Sequence, residues 1–149
     1  MSIFPDNITV TNNINIKKTT NKKGFKDILY DVEKRKIVIK DGNVVIASKK
    51  EQIKQWIFLL VNTEFEKYKV YKDTKFGIVF LYEMRGHEFY SSGFTIAQIK
   101  DELTEKIEAH KWVEKVENIE VEKGFNTLTI TVTVIVEGEE IESEVQMNV

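Results

Sequence analysis

The sequence predicts an α+β fold: an N-terminal β-hairpin, two long helices with a short helix between them, and a C-terminal antiparallel sheet. Three observations carry this. Asp41-Gly42 lies between two β-branched runs, Lys36–Lys40 and Asn43–Ala47, and Asp-Gly in that setting is hairpin chemistry. Apolar residues recur at helical spacing after Ser48 and again after Thr95. The final third alternates apolar and polar residues with period two, the pattern of a half-buried antiparallel sheet.

Each element can be justified in order. Residues 1–23 are polar and rich in Asn and Thr, and read as a flexible arm that orders against a partner. Residues 24–149 read as one α+β domain. Its hairpin covers residues 36–47. Ser48-Lys49-Lys50-Glu51 is a capping box, in which hydroxyl and carboxylate each satisfy a free N–H at a helix start. Ile53, Trp56, Ile57, Leu60 and Val61 then form one apolar stripe, predicting a helix to about Phe65. Val70 and Tyr71 are expected to be extended. Phe76 to Met84 reads as a short buried helix closed by Gly86. The second long helix is expected from a capping box at Thr95-Ile96-Ala97-Gln98, with Ile96, Ile99, Leu103 and Ile107 as its core stripe. Val116–Val121 is one strand. In the next, Leu128, Ile130, Val132, Val134 and Val136 alternate with threonines. In the last, Ile141, Val145, Met147 and Val149 alternate with Glu140, Glu142, Glu144 and Gln146. Glu137-Gly138-Glu139 supplies the turn between these two.

Composition narrows the function. A chain of 149 residues has room for one real core. With no cysteine, it has no disulfide framework, no thiolate metal site and no cysteine nucleophile. The start, MSIFPDNITV, lacks the charged and apolar regions of a signal peptide, so a cytoplasmic place of synthesis and assembly is expected. Net charge is −2, but unevenly spread. Residues 1–50 carry eleven Lys/Arg against five Asp/Glu, whereas residues 101–149 carry four against thirteen. Such asymmetry fits either a nucleic-acid arm or two ends that meet oppositely charged neighbours. The lysines Lys17, Lys18, Lys22, Lys23 and Lys34 accompany no DNA- or RNA-reading motif.

Catalytic patterns are missing. His87 and His110 fall in separate elements, without the i, i+4 pairing of a zinc helix. The seven glycines are scattered singly, so no phosphate loop exists. The acidic residues fall on polar faces, and no buried carboxylate pair is indicated. No catalytic residue, metal or cofactor is expected. What remains distinctive is a Thr- and Glu-rich sheet whose last strand runs to Val149, with an edge able to accept another chain's strand.

Residues 28 to 149 resemble a known family: the small baseplate wedge protein, or sheath initiator, of contractile phage tails and tail-like bacteriocins. These are also described as lysozyme-like baseplate proteins, and the likeness is to the Gram-positive subgroup. The stretch NTEFEKYKVYKDTKFGIVFLYEMRG carries most of it. Members have an Asn-Thr-Glu phrase ending a helix, then Tyr-x-x-Tyr, an aromatic-Gly, and a short helix closed by Gly. The matching residues are Asn62, Thr63, Glu64, Tyr68, Tyr71, Phe76, Gly77 and Gly86. Gln55 stands where a helix glutamine is usual, and Phe65 where arginine is common. In more distant members a Glu-Pro-Arg after the second helix contacts the wedge core; the matching segment here is His110-Lys111-Trp112.

The resemblance implies a structural protein of the baseplate, not an enzyme. Its implied partners are the sheath protein, the wedge proteins and the tube or hub protein, with several copies in a pseudo-six-fold baseplate and no membrane or nucleic acid. It would be made in the bacterial cytoplasm and end in the baseplate of the released particle. Nucleation of the sheath by strand exchange is the expected mechanism, with Glu140, Glu142, Glu144, Val145 and Met147 as docking candidates. A baseplate-associated cell-wall hydrolase and a nucleic-acid-binding module are the alternatives.

Overall fold

The computed structural model describes residues 26–84 and 92–149. The expected arm, residues 1–23, lies outside the described residues, as do Gly86 and His87. The architecture is α+β as expected: antiparallel strand pairs, then three helices, then a three-stranded antiparallel sheet.

The N-terminal strands are shorter than expected and one more segment joins them. β1 (Tyr30–Asp31) pairs with β2 (Lys36–Ile37), and β3 (Ile39–Lys40) with β4 (Asn43–Val44). The predicted turn is present, with Asp41 and Gly42 both at positive φ, 51° and 75°, the geometry of a tight hairpin turn. Ile28 bridges to Ile46. Leu29 donates to Val45, Val45 to Val38, and Val38 to Leu29, at 2.8–3.1 Å. Three short segments are thus each bonded to the other two, forming a closed triangular β-module.

α1 (Lys49–Val61) starts at Ser48 with the predicted capping box in place. It stops at Val61 rather than Phe65. The Asn62 side-chain amide donates to the Phe58 carbonyl, and the Thr63 hydroxyl to that of Leu59. Side chains therefore occupy the last carbonyls, and the chain turns away. Lys69–Tyr71 forms a 3₁₀ turn, not the extended segment expected, because no strand lies beside it among the described residues and Tyr71 closes back on the Tyr68 carbonyl.

The short helix is shorter still: α2 is Phe80–Glu83. Gly77, at φ +114°, cannot be helical, and Ile78 is held in a parallel bridge to Glu64. α3 (Gly93–Glu108) begins before Thr95. Ser92 is its cap, and accepts from the Thr95 N–H, so Thr95 sits buried in the first turn.

The sheet is β5 (Lys115–Lys123), β6 (Thr127–Val136) and β7 (Glu139–Asn148), in that order, with β6 central. Alternation is as predicted. Leu128, Ile130, Val132, Val134 and Val136 are buried, together with Ile119, Ile141, Val145 and Met147. α1 packs against β7 and α3 against β5. Ile53, Ile57, Leu60 and Val61 meet Ile99, Leu103 and Ile107 in the same core. Ile96 is only half-buried, and Trp56 packs at the core's margin.

Candidate interaction site

The sheet has two edges, and they differ. Hydrogen-bonded and non-bonded positions alternate along an antiparallel pair. The Val149 N–H donates to the Asn126 carbonyl at 3.1 Å, which sets the phase for the β6–β7 ladder. Ile141, Ser143, Val145 and Met147 therefore bond inward to β6, and the same residues are buried. The main-chain groups of Glu140, Glu142, Glu144, Gln146 and Asn148 point away from the sheet. Among the described residues no backbone group pairs with them.

The β5 edge is less open. The strand carries a bulge between Val116 and Asn118. The Glu108 carboxylate accepts from the Val116 N–H at 3.0 Å. A bulge and a capped amide are both devices that blunt an edge. β7 is thus the edge with a run of five successive outward positions available.

The side chains on this edge are acidic. Glu140, Glu142 and Glu144 are exposed and stand opposite Ile135, Thr133 and Thr131. Across β6, Glu120 and Glu122 face Thr131 and Thr129. The solvent face of the sheet is therefore a threonine spine between two acidic rows. Near the β6–β7 turn, Lys49 ion-pairs with Glu137. Val145 and Met147 are buried and their main-chain groups bond to β6, so of the expected docking residues only the three glutamates face the open edge.

The quoted connection after α1 is architecture. The Phe65 N–H donates to Ile78, and the Ile78 N–H to Thr63, at 3.1 and 2.9 Å. This clamps residues 63–65 against 77–78. A Cβ on Gly77 would lie 2.8 Å from the Phe65 Cα and 2.9 Å from its nitrogen, so only glycine allows that approach. Tyr71 stacks on Phe76 at 4.6 Å, and Phe76 meets Trp56 at 6.0 Å. Glu64 pairs with Lys67, while Tyr68 is half exposed at the start of the 3₁₀ turn.

His110, Lys111 and Trp112 sit on the same flank. His110 contacts Trp56 at 4.5 Å and Trp112 at 5.5 Å, and its Nδ1 accepts from the Trp112 N–H. Burial pushes the imidazole below its usual pKa, and Lys111 adds to this. A groove of about 590 Å³ opens here, with Trp56, Leu60, Phe76 and His110 as walls and Lys75 and Lys111 among its polar residues. The structure thus brings Tyr71, Phe76, His110 and Trp112 to one place. It puts the β7 glutamates elsewhere, on the outer face of the sheet.

Three side chains were not assigned their tasks by pattern. Gln55 is buried: its Oε1 accepts from Tyr30, and its Nε2 donates to Ile28 at 3.1 Å. It ties the β-module to α1. The Glu102 carboxylate accepts from Val79 and Phe80 at 2.7 and 2.8 Å, capping α2 from α3. Glu108 caps Val116. Each is a polar residue spaced like its exposed neighbours, so only its distant partner distinguishes it. Among the described residues no group of three or more His, Cys, Asp or Glu is placed to hold a metal ion.

A family model described as a contractile injection system sheath initiator matches residues 26–139. No curated protein matches the chain.

Proposed function

The chain belongs to the contractile injection system sheath-initiator family, and from that premise we propose that it nucleates sheath polymerisation by accepting a strand from a sheath subunit along β7. Membership gives a structural role in the sheath, with sheath and baseplate components as partners. The open β7 edge carries the finer reading. Five outward-facing positions, Glu140 to Asn148, offer donors and acceptors at the right spacing for another strand. Affinity would come from main-chain bonds, and the acidic row beside the edge would select a basic incoming surface.

In the same reading, the flank of Trp56, Phe76, His110, Lys111 and Trp112 faces the baseplate wedge and tube. It lies away from the sheet's solvent face, so one copy can engage both neighbours. No catalytic step is required of any residue.

The test is a proline at Glu142 in cells that produce the particle. Proline removes the outward N–H and fits poorly inside a paired strand. Sheaths that are absent or stunted, with the variant folded, are the expected result. Sheaths of normal length from a folded variant would overturn docking at this edge.

A further inference from the structure

The groove on the helix flank joins two kinds of lining. Trp56, Leu60, Phe76 and His110 make an apolar wall, and Leu60 is buried behind the three half-buried rings. Lys75, Lys106 and Lys111 line it too, against the single carboxylate of Glu105. Two of these cations are held in place. The Lys106 Nζ donates to the Lys75 carbonyl at 2.9 Å and sits 4.8 Å from the centre of the Phe65 ring. The Lys111 Nζ lies 5.4 Å from that of Trp112. An ammonium over an aromatic face is attracted by it and keeps its charge.

Neighbouring charges do not cancel this surplus. The Glu102 carboxylate is committed to the N–H groups of Val79 and Phe80, and that of Glu108 to Val116. Lys49 is ion-paired with Glu137. Lys72 and Asp73 precede Thr74 and offset one another. Asp101, a helical turn before Glu105, adds one exposed carboxylate. Lys75, Lys106 and Lys111 still outnumber Glu105 and Asp101.

The geometry points to an acidic segment of a wedge subunit as the occupant of this groove. One bulky apolar side chain packs against Trp56, Leu60 and Phe76, and carboxylates on either side of it meet Lys75, Lys106 and Lys111. The inference rests on the reading that this flank faces the wedge, and it names the chemistry recognised there. Burial against aromatic walls supplies the affinity. The lysines select by sign, and Lys106 is already anchored before any partner arrives, which lowers the cost of ordering it. The demand is opposite to that of β7, where the glutamates favour a basic strand. A partner suited to one surface is therefore repelled by the other, and the two cannot exchange places.

The chain has two tryptophans, Trp56 and Trp112, and both stand on this flank, so intrinsic emission reads the groove in the full-length protein. The probes are three end-blocked pentapeptides: Asp-Glu-Phe-Glu-Asp, its neutral counterpart Asn-Gln-Phe-Gln-Asn, and Asp-Glu-Gly-Glu-Asp, which lacks the apolar side chain. The first is expected to shift the emission saturably, and the other two to bind at least about tenfold more weakly. Lys75→Glu with Lys106→Glu should abolish the preference for the acidic peptide while the thermal melt is kept; if that pair fails to fold, Lys75→Gln should narrow the preference. No saturable shift with the first peptide overturns the proposal, as does equal binding of the neutral or the glycine peptide. Incorporation of the Lys75→Glu, Lys106→Glu variant into baseplates is then measured in cells producing the particle, and a loss is expected. Selective peptide binding together with normal incorporation would overturn the wedge assignment alone and leave the groove's chemistry in place.

Discussion

At the scale of single residues, three positions hold the structure by one atom's worth of chemistry. Gly77 combines a left-handed φ with a backbone contact too close for any Cβ. Gly77→Ala is expected to cost at least about 2 kcal/mol, read as a lower urea midpoint; an unchanged midpoint would mean the 63–78 clamp relaxes freely. Gln55→Ala leaves the Tyr30 N–H without its partner in a half-buried place, a loss of about 1–3 kcal/mol. His110 is a pH-dependent element. Its pKa in the folded protein lies below the ordinary 6.5 because burial disfavours the imidazolium. The unfolded chain therefore binds the proton more readily. The neutral ring's contribution is fully present above pH 6.5 and is lost as pH falls through the folded pKa. Melting temperatures of the protein and of His110→Gln should converge on acidification from neutral pH; parallel curves would remove His110 from the acid response.

At the scale of elements, the helix stripe and the sheet alternation interlock. Leu60 is buried in the core shared by α1, α3 and the sheet. Leu60→Ala should cost about 2–5 kcal/mol in chemical denaturation, and a loss below about half a kcal/mol would place the stripe outside the core. The β7 ladder makes a sharper prediction, because its hydrogen-bond phase separates neighbours. Proline at Ser143 removes a bond to β6 and should unfold or strongly destabilise the sheet. Proline at Glu142 removes only an outward N–H, and the isolated protein should keep most of its stability. Thermal melts of the two variants test the assigned phase directly; equal destabilisation would refute it.

At the scale of the whole molecule, charge and edge work together. The sheet's outer face gathers the acidic surplus of the last third, and the basic surplus lies at the other end of the chain. Association through the β7 edge should slow as salt rises, because exposed charges steer encounter and are screened within about 10 Å at 0.1 M. Association rates of purified protein with sheath subunits, measured across salt, check this. A rate indifferent to salt would assign the acidic rows to solubility alone.

The sequence by itself determined the order and type of most elements. Period-two alternation in β6 and β7, the Asp41-Gly42 turn and the Ser48 capping box are local signals, complete within a few residues, and they hold whatever surrounds them. The same is true of the resemblance carried by Asn62 to Gly77. What it could not give were features decided by distant partners. α1 ends early because residues 63–65 are drawn to Ile78. α2 starts late because Glu102 reaches across from α3. α3 opens at Ser92, since its cap partner is Thr95 rather than the Glu or Gln that marks a capping box. For β7 the sequence could nominate the last strand as an edge but not its pairing: alternation tells which side chains are buried. The sheet order, with β6 in the centre, decides which strand keeps an unpaired edge. Hydrogen-bond phase, set by register between chain segments, decides which amides face it.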